Sequence, residues 1–156
     1  MNQLPVGCLV LACGNTLRGD DGVGPRLAEW AREHFHSETG VRVVSRQQWT
    51  PELAEEIARA AAVLFIDCSV QADPGSVSLR PIEAAAAMPL RSTHRLGAAE
   101  LLALASELYG AQPRITLLLT VGAGSFELGE KLSAAVTAAL PEACSELKKT
   151  IEGLLG

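Results

Sequence analysis

The chain has 156 residues, of which 48% are hydrophobic, and its formal net charge is -5. This length suits a single domain spanning residues 1–156, which would bury about two thirds of the surface of the unfolded chain. An acidic balance without a basic stripe argues against nucleic acid as a partner. The longest apolar runs, such as residues 60–66, are far shorter than the roughly 18 residues of a spanning helix. We therefore predict a cytoplasmic protein that does not enter a membrane.

Strand-like runs alternate with helical patterns along the chain. The strands are predicted at residues 7–12, 41–46, 62–67, 76–82 and 114–121. The helices are predicted at residues 24–35, 51–61, 97–109 and 129–155, the last with a break near Pro141. Because parallel neighbours need crossover connections, this alternation predicts a three-layer α/β/α fold. Its sheet would be mostly parallel and twisted, with about five strands and with helices on both faces.

The fourth strand is an exception to this alternation. The chain between the third and fourth strands is too short for a crossover helix, and Asp73-Pro74-Gly75 is typical of a tight turn. We therefore expect the fourth strand to run antiparallel. The alanine-rich residues 84–87, followed by Met88 and Pro89, are too few for a stable helix and are predicted to be a connector.

Two adjacent carboxylates, Asp20 and Asp21, lie in the glycine-rich loop after the first strand. Ligands of α/β sheets bind beyond the carboxyl ends of the strands, so this loop is a candidate functional site. One of the two acids could instead cap the following helix. The second would then need a cation or a substrate group to offset the like charge. In an extended segment the two side chains would point in opposite directions, so we do not expect them to share a proton.

Asp67 and His94 lie at two further element ends. Asp67 ends the apolar run of residues 62–66, where it is either a structural strand-end acid or a catalytic or ligating one. His94 follows Ser92 and Thr93 just before the third helix, where it is either exposed in a capping loop or functional. A doubly wound sheet could bring Asp21, Asp67 and His94 to one crevice. Two carboxylate oxygens and one imidazole nitrogen suit nickel or zinc.

The cysteines favour no metal cluster of their own. None of them forms a Cys-x-x-Cys pair, and three lie in or beside apolar runs, where a free cysteine is usually a small buried hydrophobe. Cys13 and Cys68 lie close to the candidate loops, so a cysteine nucleophile remains an alternative. The full set is Cys8, Cys13, Cys68 and Cys144.

Four segments of the chain resemble one family, the [NiFe]-hydrogenase maturation endopeptidases. Residues 14–24 follow its signature Gly-Asn-x-Leu-x-x-Asp-(Asp/Glu)-x-x-Gly. Residues 66–68 with residues 73–75 resemble its strand-end aspartate and its Pro-Gly turn. Residues 92–94 resemble its Ser-Thr-His segment, and residues 124–133 resemble its closing region.

The resemblance implies a function and a mechanism. The family removes the C-terminal extension of a hydrogenase large-subunit precursor that already carries nickel. Its metal-contacting positions fall on Asp21, Asp67 and His94, which would also be the catalytic residues, with Asp21 or Asp67 as the base. We thus expect a peptidase of aspartic or nickel-dependent type that acts as a monomer, with nickel delivered in the substrate.

Two other readings are open. The same three residues could form a nickel or metabolite binding module that performs no hydrolysis. A related peptidase acting on a different protein is also open, because residues 120–123 read Thr-Val-Gly-Ala where many members of the family read closer to Gly-Ile-(Glu/Gln)-Pro.

Overall fold

The computed structural model describes residues 6–36, 38, 40–86 and 96–156. In this part of the chain the strands are β1 (Val6–Cys13), β2 (Val41–Arg46), β3 (Ala60–Ser69), β4 (Val77–Pro81) and β5 (Ile115–Gly122). The α-helices are α1 (Val23–His34), α2 (Leu53–Arg59), α3 (Ala98–Tyr109) and α4 (Ala134–Leu155). A short 3-10 turn, Gly19–Gly22, leads into α1.

The strands form one sheet in the order β2-β1-β3-β5-β4. β1 pairs in parallel with β2 and β3, and β3 pairs in parallel with β5. β4 pairs antiparallel with β5, as the short connection predicted. The tight turn before β4 is confirmed as well, since Ser76 N–H donates to the carbonyl of Asp73 over 3.0 Å.

Helices cover both faces of the sheet, which confirms the three-layer prediction. Successive residues of β1 point to opposite faces, because a strand has a side-chain period of two. Val10 packs on the side of α1 and α4, and Leu11 packs on the side of α2 and α3. The central strands are apolar on both faces because each face lies under a helical layer.

α4 differs from its prediction in two respects. It begins at Ala134 rather than at residue 129, and the N-cap is Ser133, whose Oγ accepts from Val136 N–H over 3.3 Å. The helix also continues through Pro141 instead of breaking there. A proline removes one helical hydrogen bond, but Ala139 and Ala143 are buried on either side of it, and this packing holds the helix together.

The junction of α2 and β3 was also predicted wrongly. Ala60 and Ala61 have high helix propensity and were assigned to the helix, yet both belong to β3. Ala60 lies opposite Val6 in the parallel ladder with β1. Pairing with β1 therefore overrides the local preference of these alanines.

The connection between β4 and α3 is described as far as residue 86. Ala85 N–H donates to the carbonyl of Ala99 over 2.9 Å, so the start of this connector lies against the first turn of α3. Met88 and Pro89 of the predicted connector lie outside the described residues. Among the helices that the structure describes, none is long and apolar enough to cross a membrane.

Candidate functional site

The loop between β1 and α1 folds back on itself to bury Asp21. The backbone at Gly14 has a φ of 148°, and a Cβ there would lie 1.9 Å from the carbonyl oxygen of Asp21, so only glycine fits. Asn15 N–H donates to Oδ2 of Asp21 over 2.7 Å, and the side chain of Asn15 accepts from Leu17 N–H over 2.9 Å. Asp21 is only 8% exposed, and this bond fixes its carboxylate beside the start of α1.

Asp20 is fully buried and joins this loop to the segment after β5. Its Oδ2 accepts from the N–H groups of Gly124 and Ser125 over 2.6 and 2.9 Å. Its Oδ1 accepts from Ser133 N–H over 2.7 Å. Burial by itself would raise the pKa of Asp20, but the hydrogen bonds from Ser133, Gly124 and Ser125 outweigh it and lower the pKa below its usual value. Asp20 is therefore an ionised structural residue.

Two expectations about this acidic pair need correction. Neither carboxylate caps α1, because the N-cap is Gly22 and both side chains bind backbone groups elsewhere. The pair also lies in the 3-10 turn Gly19–Gly22 and not in an extended segment. The sequence alone could not show which groups Asp20 binds, since its hydrogen-bond donors lie more than 100 positions away in the chain.

Asp67 lies near the end of β3, opposite Thr120 of β5. It is half-buried, and its Oδ1 accepts from Cys68 N–H over 2.8 Å. It lines the same cleft as Asp21, with a volume of about 280 Å³, so the structure brings these two predicted site residues together. The cleft is lined by Arg18, Asp21, Asp67, Cys68, Val70 and Phe126.

The third predicted site residue, His94, lies outside the described residues, as do Ser92 and Thr93. Within the described part of the chain, no three or more histidine, cysteine or acidic side chains are grouped so that they could hold a metal ion. Asp21 and Asp67 supply carboxylate oxygens, which are suitable donors for a borderline divalent metal. A third donor at His94 stays a prediction.

Three cleft residues had no predicted role. Arg18 lies within the glycine-rich signature, Val70 directly follows β3, and Phe126 is the single aromatic residue of the segment 123–133. The sequence offered one signal for them, which is the aromatic residue Phe126 in a loop beyond a strand end, where binding residues are common. None of the three follows from periodicity, because each lies between regular elements.

The cysteines follow their prediction in part. Cys8 and Cys13 are buried, and burial raises the pKa of the Cys8 thiol to about 12, so it stays protonated. Cys68 differs, because it is only half-buried and lines the cleft.

The three-layer fold, with its two carboxylates at one cleft, was compared with known proteins. No family model matches the sequence, and no curated protein matches it significantly. Several solved structures that it resembles in fold are hydrogenase maturation proteases.

One is the hydrogenase maturating endopeptidase HybD from E. coli, with 22% identity and a TM-score of 0.74 over 94% of this chain and 92% of that one. A second is the [NiFe] hydrogenase maturation protease HycI from Thermococcus kodakarensis KOD1, with 23% identity and a TM-score of 0.67 over 97% and 93% of the two chains. A third is the [NiFe] hydrogenase maturation protease HybD from Thermococcus kodakarensis, with 26% identity and a TM-score of 0.67 over 92% and 97%. The resemblance found in the sequence motifs therefore extends to the fold of nearly the whole chain.

Proposed function

We propose that this protein is an endopeptidase that removes the C-terminal extension of a nickel-loaded [NiFe]-hydrogenase large-subunit precursor. One observation carries the proposal: Asp21 and Asp67 come from separate elements and line one cleft, in a fold shared with solved maturation endopeptidases. In this proposal both residues and His94 engage the nickel of the substrate. The protein acts in the cytoplasm as a monomer.

The hydrogen bonds at the cleft indicate how the carboxylates would work. Asn15 N–H binds Oδ2 of Asp21, while Oδ1 has no hydrogen-bond partner among the described residues. This oxygen could accept a proton from a water molecule and so act as the general base. Asp67 is oriented by Cys68 N–H and would bind the nickel. Because the nickel belongs to the precursor, it would place the scissile bond beside Asp21 and polarise it.

The test is an intact-mass cleavage assay with the cognate precursor, with and without nickel. We expect cleavage only of the nickel-loaded precursor, and Asp21→Asn should slow it at least about 100-fold, the usual contribution of a general base. The matched control is Asp73→Asn, the same chemical change at an exposed turn outside the cleft, which should leave the rate unchanged.

The other readings predict different results in the same assay. A binding module, or a peptidase for a different protein, would leave the mass of the nickel-loaded precursor unchanged. A cysteine nucleophile would lose activity in Cys13→Ala or Cys68→Ala, whereas our proposal expects both variants to stay active. Activity that survives Asp21→Asn would contradict the proposed role of this carboxylate.

A further inference from the structure

Two apolar side chains lie at the mouth of the carboxylate cleft. Val70 is 75% exposed and Phe126 is 36% exposed, and both line the cleft that contains Asp21 and Asp67. Exposed apolar side chains that meet at one cleft are a common feature of surfaces that bind a partner. The two residues follow β3 and β5, which are adjacent in the sheet, and both line one cleft.

Hydrogen bonds of the backbone hold in place the two segments that carry Val70 and Phe126. The hydroxyl of Ser69 accepts from the N–H of Ala72 over 3.1 Å, which fixes the turn that carries Val70. Ala123 N–H donates to the carbonyl of Ser69 over 2.9 Å and joins the two segments. Asp20 binds the N–H of Ser125, directly before Phe126. The backbone that carries both side chains is therefore ordered before any ligand arrives, which lowers the entropic cost of binding.

Arg18 gives the cleft a hydrogen-bond donor. Arg18 lines the cleft, and its guanidinium group makes no hydrogen bond or ion pair with the described residues. Asp21 and Asp67 in the same cleft disfavour a free anionic ligand. Apolar walls beside one guanidinium group suit an extended peptide, which offers an apolar side chain and backbone carbonyls together.

We propose that Val70 and Phe126 clamp an apolar side chain of the precursor's C-terminal extension, while Arg18 donates to a backbone carbonyl of the same segment. This inference rests on the proposed function, and it names the residues that select the substrate. Val70 and Phe126 line the same cleft as Asp21 and Asp67. A substrate side chain held between them would therefore lie in the segment of the precursor that passes the proposed catalytic groups.

The test is a double-mutant cycle on the binding of the intact nickel-loaded precursor. Phe126→Ser should weaken binding at least tenfold. Each apolar residue of the extension is replaced in turn by serine, and one such change should weaken binding to the same extent. Combined with Phe126→Ser, that change should add almost nothing, because both remove the same contact. Leu108→Ser is the matched control at the end of α3, where a side chain 60% exposed lies outside the cleft.

The outcomes separate the clamp from the proposed function. Coupled losses of binding without cleavage by the wild-type protein would support the clamp and contradict the endopeptidase. Normal cleavage with an unchanged KM in Phe126→Ser would overturn the clamp and leave the endopeptidase standing. Additive losses, a wild-type protein that does not bind the precursor, or a dimer that Phe126→Ser dissociates would each overturn the clamp. Circular dichroism of each variant verifies that it is folded.

Discussion

At the scale of single residues, Asp20 and Asp21 show how environment assigns different roles to identical side chains. Asp20 is fully buried and accepts three backbone N–H groups from the segment after β5. Asp21 is held by one N–H group and lines the cleft. The sequence pointed to both acids as candidates and left open that one of them caps the following helix. It could not predict that the first is structural, because the donors come from Gly124, Ser125 and Ser133.

We expect Asp20→Asn to lower the free energy of unfolding by about 3 kcal/mol. The buried N–H groups that bind Asp20 would lose a charged acceptor, and at least one of them would face the NH₂ group of the new amide, which is itself a donor. Urea denaturation followed by circular dichroism measures the change. Asp73→Asn serves as the control and should stay within about 0.5 kcal/mol of the wild-type protein. Equal stability of Asp20→Asn and the wild-type protein would refute the structural role.

The same variant tests the pH dependence of this contribution. The pKa of Asp20 is lowered in the folded protein, so the folded state binds a proton less readily than the unfolded state. The stabilisation is complete above the unfolded-state pKa of about 3.9 and is lost as the pH falls through the lower folded-state pKa. The stability difference between the wild-type protein and Asp20→Asn should therefore be constant near neutral pH and shrink below about pH 4. A stability difference that grows as the pH falls would contradict a lowered pKa of Asp20 in the folded protein.

At the scale of elements, the start of α1 packs so closely against the end of β1 that one backbone position has no space for a side chain. A Cβ at Gly24 in α1 would lie 2.4 Å from the carbonyl oxygen of Cys13 at the end of β1. This distance is too short for any real contact, so the start of the helix would have to move away from the strand. Gly24 therefore allows α1 to begin directly beside the strand end, where Asp21 reaches the cleft.

Gly24→Ala should lower the free energy of unfolding by about 1–3 kcal/mol through overpacking. Gly153→Ala is the matched control, because a Cβ there meets no atom within 4 Å in α4. That control should raise stability by about 0.5–1 kcal/mol through helix propensity. Chemical denaturation of both variants gives the comparison. If Gly24→Ala is as stable as Gly153→Ala, the close approach does not constrain the loop.

At the scale of the whole molecule, the strand order creates the cleft. The chain passes from β1 to one neighbour, β2, and then crosses to the other neighbour, β3. The loops after β1 and β3 therefore diverge and leave a crevice at the carboxyl edge of the sheet, the usual ligand site of this architecture. Asp21, in the loop after β1, and Asp67, near the end of β3, both line that crevice.

This arrangement predicts weak binding of free metal. In our proposal some of the nickel ligands arrive with the precursor, so the protein alone offers an incomplete set of donors. Isothermal titration of the protein with nickel or zinc should give a dissociation constant weaker than about one micromolar. Asp73→Asn should leave that value unchanged. A sub-micromolar constant that Asp21→Asn abolishes would favour the metal-binding module instead.

The sequence determined the fold class, because hydrophobic periodicity and loop length are local properties that select strands, helices and the antiparallel fourth strand. It also placed Asp21 and Asp67 at element ends, because a signature and an apolar run locate them along the chain. It did not locate the start of α4 or the end of α2, where capping and strand pairing outweighed propensity.

Contacts between distant parts of the folded chain determine which side chains share the cleft and what each of them binds. Asp20 became structural through donors from a distant segment, and Arg18, Val70 and Phe126 met the carboxylates through the strand order. The physical reason is that hydrogen bonds and packing form between residues far apart in the chain, whereas local sequence patterns report only on neighbours.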